Sequence, residues 1–384
     1  MRTTLNPTNP IEHCRLAGED TLSKLMLFSS GVVPSMRYRV FLLFFCIGLL
    51  PTSLTWAAPA QQLFSDWLVT CNNQNFCVTR NVGLHHGLVM TLSRSAGAHT
   101  DAQLRIELGG LVNPVAAVPA IEPRLLLDGK PLKLDGEHWK IQPKLVTTGD
   151  SVTIDAFLQQ IQDASAITLV KGVQVMSLQG LKAALLFIDA QQKRVGNETA
   201  WIRKGDEPPL SVPPAPALKS VAKMNPVPTP LGHDEYNDLL DFGTWRMNNN
   251  QCSLDPLRRE VWITALTDDK ALMMTSCESG AYNTIYRAWL VSRKKPFVTT
   301  PIRLRLPFLP GGREGRDIEL MNLTFNEKSR ELITLEKGRG LGDCGVQTRW
   351  RFDGQRFRLA RYAAQPQCDN WQGADAWATQ WVSG

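Results

Sequence analysis

Short apolar or alternating runs recur after residue 60 and predict β-strands, because side chains on a strand point to opposite faces in turn. In the first half of the chain these runs are residues 66–71, 87–94 and 103–108. Residues 124–127 and 131–134 flank Asp128-Gly129, a dipeptide typical of tight hairpin turns. The chain therefore begins as a β-rich unit.

Two later segments of the first half have helical periodicity instead. Asp150 can begin one helix and Ser177 a second, since both residue types favour the N-cap position. Apolar residues then recur at the spacing of one helix face, at Ile154, Phe157, Leu158 and Ile161 and again at Leu178, Leu181, Leu185 and Ile188. We expect both apolar stripes to face the core.

The second half of the chain contains almost only strand patterns. The predicted strands are residues 261–266, 271–277, 285–291, 320–325, 331–336, 348–352 and 356–359. Only residues 374–382 have a pattern compatible with a helix. The two halves together predict an α+β fold that is predominantly antiparallel β, with two tandem domains, the first containing two helices and the second almost all β.

The N-terminal region has the order of features found in a cleavable secretory signal peptide. Two arginines precede an uninterrupted apolar run, residues 40–50, and a proline then separates it from small residues. The run is far shorter than the ~20 residues that a membrane-spanning helix needs. We therefore assign residues 36–60 as a signal peptide, cleaved after Ala57 or Ala60. We expect a periplasmic protein with no membrane span after cleavage.

Residues 1–35 lie upstream of a complete signal peptide that begins at Met36. They are polar and have no periodic apolar pattern. The simplest interpretation is that translation begins at Met36 and that the upstream stretch is mis-assigned. A genuine N-terminal extension is the alternative.

Composition divides the remaining chain into two domains. Residues 206–232 form a proline-rich linker, since prolines are frequent there and favour extended, semi-rigid chain. This places a β-rich domain with two helices at residues 61–205 and a disulfide-bonded β domain at residues 233–384.

Cysteine usage agrees with export. Outside the N-terminal 60 residues the chain has six cysteines, at Cys71, Cys77, Cys252, Cys277, Cys344 and Cys368. An even number in an exported chain is typical of a disulfide framework. The linker leaves Cys71 to pair with Cys77, and we favour the two sequential pairs in the second domain. The spacings contain no CxxC and no nearby histidine pair, so we predict no metal site.

The net charge of +6 does not indicate a nucleic-acid partner. The excess is spread evenly, at +2 for each of residues 1–60, 61–230 and 231–384. A nucleic-acid-binding protein normally concentrates its basic residues on one domain, because phosphate contacts dominate its affinity. We therefore expect no nucleic-acid partner.

No catalytic motif fits its context. The sequence lacks the GxSxG, HExxH and Walker patterns. Gly340, Gly342 and Gly345 have GxGxxG spacing, but a predicted strand follows where a nucleotide site needs a helix N-terminus. Cys344 as a nucleophile would need a free thiolate and a histidine base, and the second domain has only His233. We predict no catalytic residues and no cofactor.

Two clusters could form a binding surface. Lys337, Arg339 and Asp343 lie in a glycine-rich loop, and together with Trp350 on the next predicted strand they are our candidate binding loop. The other cluster is a basic stretch, residues 293–316. The simpler interpretation is a solvated loop and strand-edge charges that protect against aggregation, and we favour it.

Three tryptophans near the C-terminus, Trp371, Trp377 and Trp381, could stack on a sugar ring. The simpler interpretation, which we favour, is that they close the bottom of the β core. Trp377 and Trp381 would then lie one helical turn apart.

The motifs of the second half resemble a known family. Arg339-Gly-Leu-Gly-Asp-Cys344-Gly, followed by Trp350-x-x-Asp353-Gly-x-x-Phe357, Cys368 and the closing tryptophans, resembles the family called domain of unknown function 1176. Phe64-Ser-Asp-Trp67-Leu-Val-Thr-Cys71, with Cys77 close behind, resembles invasion-associated locus B-type periplasmic domains. The likeness covers residues 60–384. It implies a periplasmic protein of Gram-negative bacteria without an established activity, and it supports the pairing of Cys344 with Cys368.

These observations favour a non-enzymatic module of the cell envelope that binds another envelope protein or a cell-wall component, in an oligomeric state that the sequence leaves open. A periplasmic hydrolase that uses carboxylates not singled out by any motif is one alternative. A lysozyme-inhibitor-like envelope protein is another, since small disulfide-bonded β domains can plug such clefts.

Overall fold

Antiparallel β-sheets make up most of the protein. The computed structural model describes residues 58–99, 101–112, 120–221, 227–248 and 252–384. The predicted upstream extension, and all but the last three residues of the predicted signal peptide, lie outside these ranges. Among the described residues, no helix has both the length and the apolar character needed to cross a membrane.

The first half contains two of the described α-helices and the largest described sheet. Its described strands are β1 (Ala60–Phe64), β2 (Trp67–Cys71), β3 (Cys77–Asn81), β4 (Leu88–Arg94), β5 (Ala102–Leu108), β6 (Leu125–Leu127), β7 (Lys130–Pro131), β8 (Lys140–Gln142), β9 (Leu145–Thr148), β10 (Ala166–Leu169) and β11 (Val175–Ser177). Its described helices are α1 (Ser151–Ile161) and α2 (Leu181–Gln191).

Seven strands form one antiparallel sheet in the order β1-β2-β3-β4-β5-β9-β8, and β11-β10-β6-β7 form a smaller sheet. One face of the large sheet packs with α1 and α2 into a hydrophobic core that includes Trp67, Leu104, Ile154 and Leu185. Asp150 begins α1 as predicted, because its side chain accepts a hydrogen bond from the backbone N–H of Thr153. The opposite face of the sheet is more polar.

The second half is mainly β and contains one helix. Its described elements are α3 (His233–Asn248), β12 (Val261–Ala265), β13 (Lys270–Ser279), β14 (Thr284–Ser292), β15 (Thr299–Pro301), β16 (Leu304–Arg305), β17 (Asp317–Ile318), β18 (Thr324–Asn326), β19 (Glu331–Lys337), β20 (Gly345–Phe352), β21 (Phe357–Gln365) and β22 (Thr379–Val382).

Two antiparallel sheets, ordered β12-β13-β14-β15 and β18-β19-β20-β21-β22, share a second hydrophobic core. Leu272 and Leu290 reach this core from the first sheet, and Trp350 and Leu359 reach it from the second. The predicted class, α+β with mostly antiparallel β, is confirmed.

The start of α2 differs from the prediction. Ser177 ends β11 and does not cap the helix, which begins at Leu181 after Gly180. Gly180 has a φ of 92°, and a Cβ there would lie 2.0 Å from the carbonyl oxygen of Phe64. Only glycine fits this close approach, so the turn geometry fixes the helix start.

Three predictions for the second half were wrong. Helix α3 was not predicted; it is anchored by the fully buried Leu239, which packs against Met273 and Trp289. Residues 374–382 do not form a helix, because only Ala374–Ala376 makes a short 3-10 turn before β22 begins. A strand was predicted at residues 320–325, but the observed strand, β18, begins only at Thr324. In each case tertiary packing overrides a weak local pattern.

Three disulfides join the six cysteines outside the N-terminal segment, in the pairs favoured from the sequence. Cys71 pairs with Cys77 across the neighbouring strands β2 and β3. Cys252 pairs with Cys277, and Cys344 pairs with Cys368. The last bond ties the loop after β19 to the chain that follows β21.

Residues 365–384, which we call the C-terminal segment, hydrogen-bond to the first half of the chain. Asn73 and Val382 exchange two hydrogen bonds, of 3.0 and 2.8 Å. The backbone N–H of Val221, in the proline-rich stretch, donates to the carbonyl of Gly384. Each half has its own hydrophobic core. The division into domains at residues 61–205 and 233–384 stays a prediction.

Candidate functional site

The structure separates the members of the candidate binding loop. Lys337 ends β19, and Arg339 and Asp343 lie in the turn that follows it. Trp350 lies farther along β20, where it is 1% exposed within the core and its Nε1 donates to the hydroxyl of Thr348. Arg339 and Asp343 are thus brought together, whereas Trp350 is not part of the same surface.

Asp343 is a buried anchor for the loop. Its carboxylate accepts hydrogen bonds from Nε and Nη2 of Arg339 and from the backbone N–H of Asn370. Burial opposes ionisation, but the bonds from Arg339 and from backbone N–H groups outweigh it and lower the pKa of Asp343. Together with the Cys344 disulfide, this carboxylate fixes the position of residues 368–370.

The neighbouring residue, Asp369, forms an ion pair with Arg80 on β3. The Nη1 to Oδ2 distance is 2.5 Å, and the side chains are only 7% and 4% exposed. The same Nη1 donates to the carbonyl of Asn81, whereas Nη2 of Arg80 has no hydrogen-bond partner among the described residues. A buried guanidinium with an unused donor is costly, because its lost hydration is only partly replaced.

His85 lies beside this ion pair. Burial lowers the pKa of His85, and the nearby Asp369 carboxylate only partly opposes that effect. Nδ1 of His85 accepts a hydrogen bond from the backbone N–H of Gly87. The ring meets Trp371 edge to face, with 6.2 Å between centroids. These contacts favour a neutral imidazole that supports Trp371.

Arg80 belongs to a row of side chains that crosses the outer face of the large sheet. Strand register places Leu68 beside Arg80, Arg80 beside Thr91, and Thr91 beside Arg105. Neighbouring strands are about 4.8 Å apart, so the Cα atoms of the two arginines are separated by roughly 10 Å with a hydroxyl between them. Arg105 also donates to Glu107 on the same strand.

The C-terminal segment covers part of this outer face and encloses a cleft of about 440 Å³, which we call the junction cleft. From the sheet it is lined by Thr70, Arg80, Thr91, Arg105 and Glu107, and from the C-terminal segment by Gln365, Trp371 and Gln372. Its volume lies in the range typical of small-molecule sites. Leu68 and Val78 from the sheet and Ala376 and Ala378 from the C-terminal segment also line it, so the cleft offers polar groups beside apolar surface.

The basic stretch, residues 293–316, does not form one surface. Arg293 hydrogen-bonds through its guanidinium to Glu235 of α3, and Arg313 pairs with Glu336. Arg303 and Arg305 instead line a separate groove. Trp377 and Trp381 are buried, as favoured from the sequence, whereas Trp371 lines the junction cleft.

Sequence reasoning missed the residues that form the junction cleft. Arg80 and Arg105 lie at outward positions of alternating strands, a pattern that many solvent-exposed arginines share. Asp369 directly follows Cys368, which was the one available signal for its position. Its pairing with Arg80 depends on how the two halves pack, and no local pattern contains that information.

The fold and the disulfides define a mostly antiparallel β protein with a cleft beneath its C-terminal segment. The chain belongs to the family described as "Protein of unknown function (DUF1176)", which matches residues 61–384. This confirms the resemblance carried by the motifs around Cys344.

The chain is 72% identical, over 348 residues, to "Uncharacterized protein YpfG" of Escherichia coli (strain K12). The alignment covers 91% of this chain and all of that protein. No solved structure matches.

Proposed function

We propose that this protein is an exported, non-enzymatic binding protein of the periplasm, and that its ligand occupies the junction cleft. The observation that carries the proposal is the row of Arg80, Thr91 and Arg105, whose side chains line the cleft together with Trp371. Guanidinium and hydroxyl groups in the wall of a cleft, beside an apolar surface, are the few convergent polar groups that orient a ligand in a binding site.

The chemistry of the lining favours a hydroxyl-rich, uncharged ligand. Arg80 is balanced by Asp369 and Arg105 by Glu107, so the cleft has little net charge. Threonine hydroxyls and the amides of Gln365 and Gln372 both donate and accept hydrogen bonds. The indole of Trp371 offers an apolar face with a fixed orientation. A saccharide of the cell wall combines hydroxyl groups with apolar ring faces and fits this lining.

Export is part of the same proposal. The signal-peptide pattern at residues 36–60 supports it, and so do the three disulfides, which persist in oxidising compartments. The likeness of residues 64–77 to invasion-associated locus B-type domains agrees with a periplasmic location but indicates no ligand.

Seven carboxyl groups of the described residues are suited to accept hydrogen bonds and not to protonate a leaving group. A carboxylic acid that protonates a leaving group needs a raised pKa. Among the described residues, the carboxyl groups whose pKa clearly departs from its usual value are all shifted downward, at Asp135, Asp150, Glu235, Asp268, Asp343, Asp353 and Asp375. These groups serve as ionised hydrogen-bond acceptors.

Titration calorimetry of the exported chain with the peptidoglycan disaccharide N-acetylglucosaminyl-N-acetylmuramic acid tests the proposal. We expect saturable binding that Thr91→Val weakens, because the substitution removes a hydroxyl from the cleft and keeps the shape of the side chain. Thr147→Val is the matched control, since Thr147 lies beside Arg105 in the same row but does not line the cleft. No binding, or equal weakening by both variants, would overturn the assignment.

Tryptophan fluorescence gives an independent reading of the same complex. A saccharide against Trp371 changes the emission of the wild-type chain, and Trp371→Leu removes that change. Release of reducing sugar from a longer glycan during the titration would instead indicate a hydrolase and contradict the non-enzymatic proposal.

A further inference from the structure

Four arginines line a groove that shares no residue with the junction cleft. Around β16, Leu304 and Leu306 are buried while Arg303 and Arg305 point outward. At β21 the buried Phe357 separates two exposed arginines, Arg356 and Arg358. The alternation of strand side chains accounts for both pairs.

These arginines and Lys219 line a single groove of about 500 Å³, which we call the arginine groove. The indoles of Trp350 and Trp381 contribute to its lining, and both are at least 94% buried. The groove is therefore a charged depression above a rigid aromatic base.

Three arginines of the arginine groove have no counter-charge among the described residues. Asp353 is the one acidic side chain of its lining, and it is used by Arg358 at 2.6 Å. The side chains of Arg303, Arg305 and Arg356 make no hydrogen bond or ion pair with any described residue. Holding like charges together costs free energy, and a bound anion relieves that cost.

The geometry points to the arginine groove as a binding site for phosphate groups. A phosphate ester carries roughly two negative charges at neutral pH and three strong acceptor oxygens. The planar fork of arginine donates two parallel hydrogen bonds to such a group. Several guanidinium groups around one groove therefore match a phosphate group, which has several oxygens and more than one negative charge. A carboxylate would balance the charge of only one arginine.

This site is independent of the proposed function, since it shares no residue with the junction cleft. The phosphate could belong to a soluble phosphorylated molecule or to an anionic lipid whose headgroup ends in a phosphate monoester. Both sources present the same oxygens to the arginines, so the experiment has one arm for each source.

Titration calorimetry of the exported chain with inorganic pyrophosphate is the soluble arm. We expect binding that weakens as ionic strength rises from about 0.01 M to about 0.15 M, because the screening length falls from about 30 Å to about 8 Å. The double substitution Arg305→Gln with Arg356→Gln should weaken binding about tenfold or more, since each removes a charge-assisted hydrogen bond.

Arg287→Gln is the matched control, because Arg287 is an exposed arginine on β14 outside the groove and its loss changes the net charge by the same sign. It should leave pyrophosphate binding unchanged. Circular dichroism of all variants should match the wild type, since the substituted side chains are exposed.

Sedimentation with vesicles of phosphatidic acid and phosphatidylcholine in equal parts is the lipid arm. Binding to these vesicles without binding to pyrophosphate, again lost in the double variant, assigns the site to a lipid headgroup. Failure to bind either probe overturns the inference. Equal loss in the double variant and in Arg287→Gln also overturns it, because the effect would then reflect net charge alone.

Discussion

Arg80 and Asp369 lie 289 residues apart in the chain and form a buried ion pair between the large sheet and the C-terminal segment. The pair holds together the two walls of the junction cleft. Asp369 is itself held by its neighbours, since Cys368 is disulfide-bonded and the backbone N–H of Asn370 donates to Asp343. The wall contributed by the C-terminal segment is therefore positioned by covalent and ionic contacts at adjacent residues.

Removal of one partner from this pair should destabilise the fold. Asp369→Ala leaves the Arg80 guanidinium buried without its counter-charge, which typically costs about 3–5 kcal/mol in the free energy of unfolding. Urea unfolding followed by tryptophan fluorescence measures the loss. Asp163→Ala is the control, because Asp163 pairs with Lys182 in an exposed position and such pairs add little.

The double substitution Arg80→Met with Asp369→Leu should recover much of that stability, since apolar residues of similar size often replace a buried pair at little cost. A loss from Asp369→Ala no larger than that from Asp163→Ala would show that the pair does not hold the walls together.

Loss of the Cys344 to Cys368 disulfide should release the same wall. Replacement of both cysteines by serine frees a loop with a sequence separation of 24 residues, which costs about 3 kcal/mol in the chain-entropy model. Hydrogen exchange at residues 368–371 should speed up more than exchange in β4. Unchanged protection in the C-terminal segment would contradict a positioning role for the bond.

The shorter Cys71 to Cys77 loop is the comparison for this prediction. Its sequence separation is 6 residues, so its loss should cost about 1 kcal/mol less in the same model. The bond also joins strands that are already paired. Serine at both positions should therefore leave exchange in residues 368–371 close to the wild-type rate.

A buried polar network in the first half should be just as sensitive. Nη2 of Arg94 donates to Asp189 at 2.6 Å with both side chains 0% exposed, and the guanidinium stacks on Trp201 with 3.6 Å to the ring centroid. Burial lowers the pKa of Arg94 to about 10, which leaves it charged at neutral pH.

Asp189→Ala should lower the free energy of unfolding by about 3–5 kcal/mol, because it leaves the Arg94 charge unpaired in the core. It also removes the acceptor used by the backbone N–H groups of Trp201 and Ile202. Thermal unfolding of Asp189→Ala beside Asp163→Ala measures the difference. Equal melting temperatures would rule out a core role for this network.

The strands were predictable where burial alternates along the chain, as in β5 and β20. Their periodicity depends only on which face of a sheet is buried, and the sequence records that directly. Asp150 was predictable as a helix start for a similar reason, because an N-cap contact reaches only three residues along the chain.

Features that depend on contacts between distant segments were not predictable. Helix α3 has few apolar residues and contains Gly243, and it forms because Leu239 packs against β13 and β14. The junction cleft depends on Arg80 meeting Asp369 across 289 residues. The arginine groove requires β16 and β21 to lie side by side. Each of these contacts is a property of the packed molecule.

Asp353 should make the stability of the second half depend on pH in the acid range. Burial opposes its ionisation, but hydrogen bonds from the backbone N–H groups of Arg356 and Gln355 and from the Arg358 side chain outweigh that effect. They lower its pKa from 3.8 to about 2. The unfolded chain therefore binds a proton at a higher pH than the folded chain does. The stabilisation from Asp353 is fully present above pH 3.8 and is lost as the pH falls through about 2.

Unfolding free energies measured between these two pH values for wild type and Asp353→Asn check the prediction. Arg358 is 46% exposed, so solvent screening reduces the contribution to about 1 kcal/mol. The difference between the two proteins should shrink as the pH falls, because wild type loses the ionised carboxylate and the variant has none to lose. Asp317→Asn, an exposed substitution on β17, supplies the baseline. A difference that stays constant across this range would mean that the carboxylate of Asp353 is not stabilised by its partners.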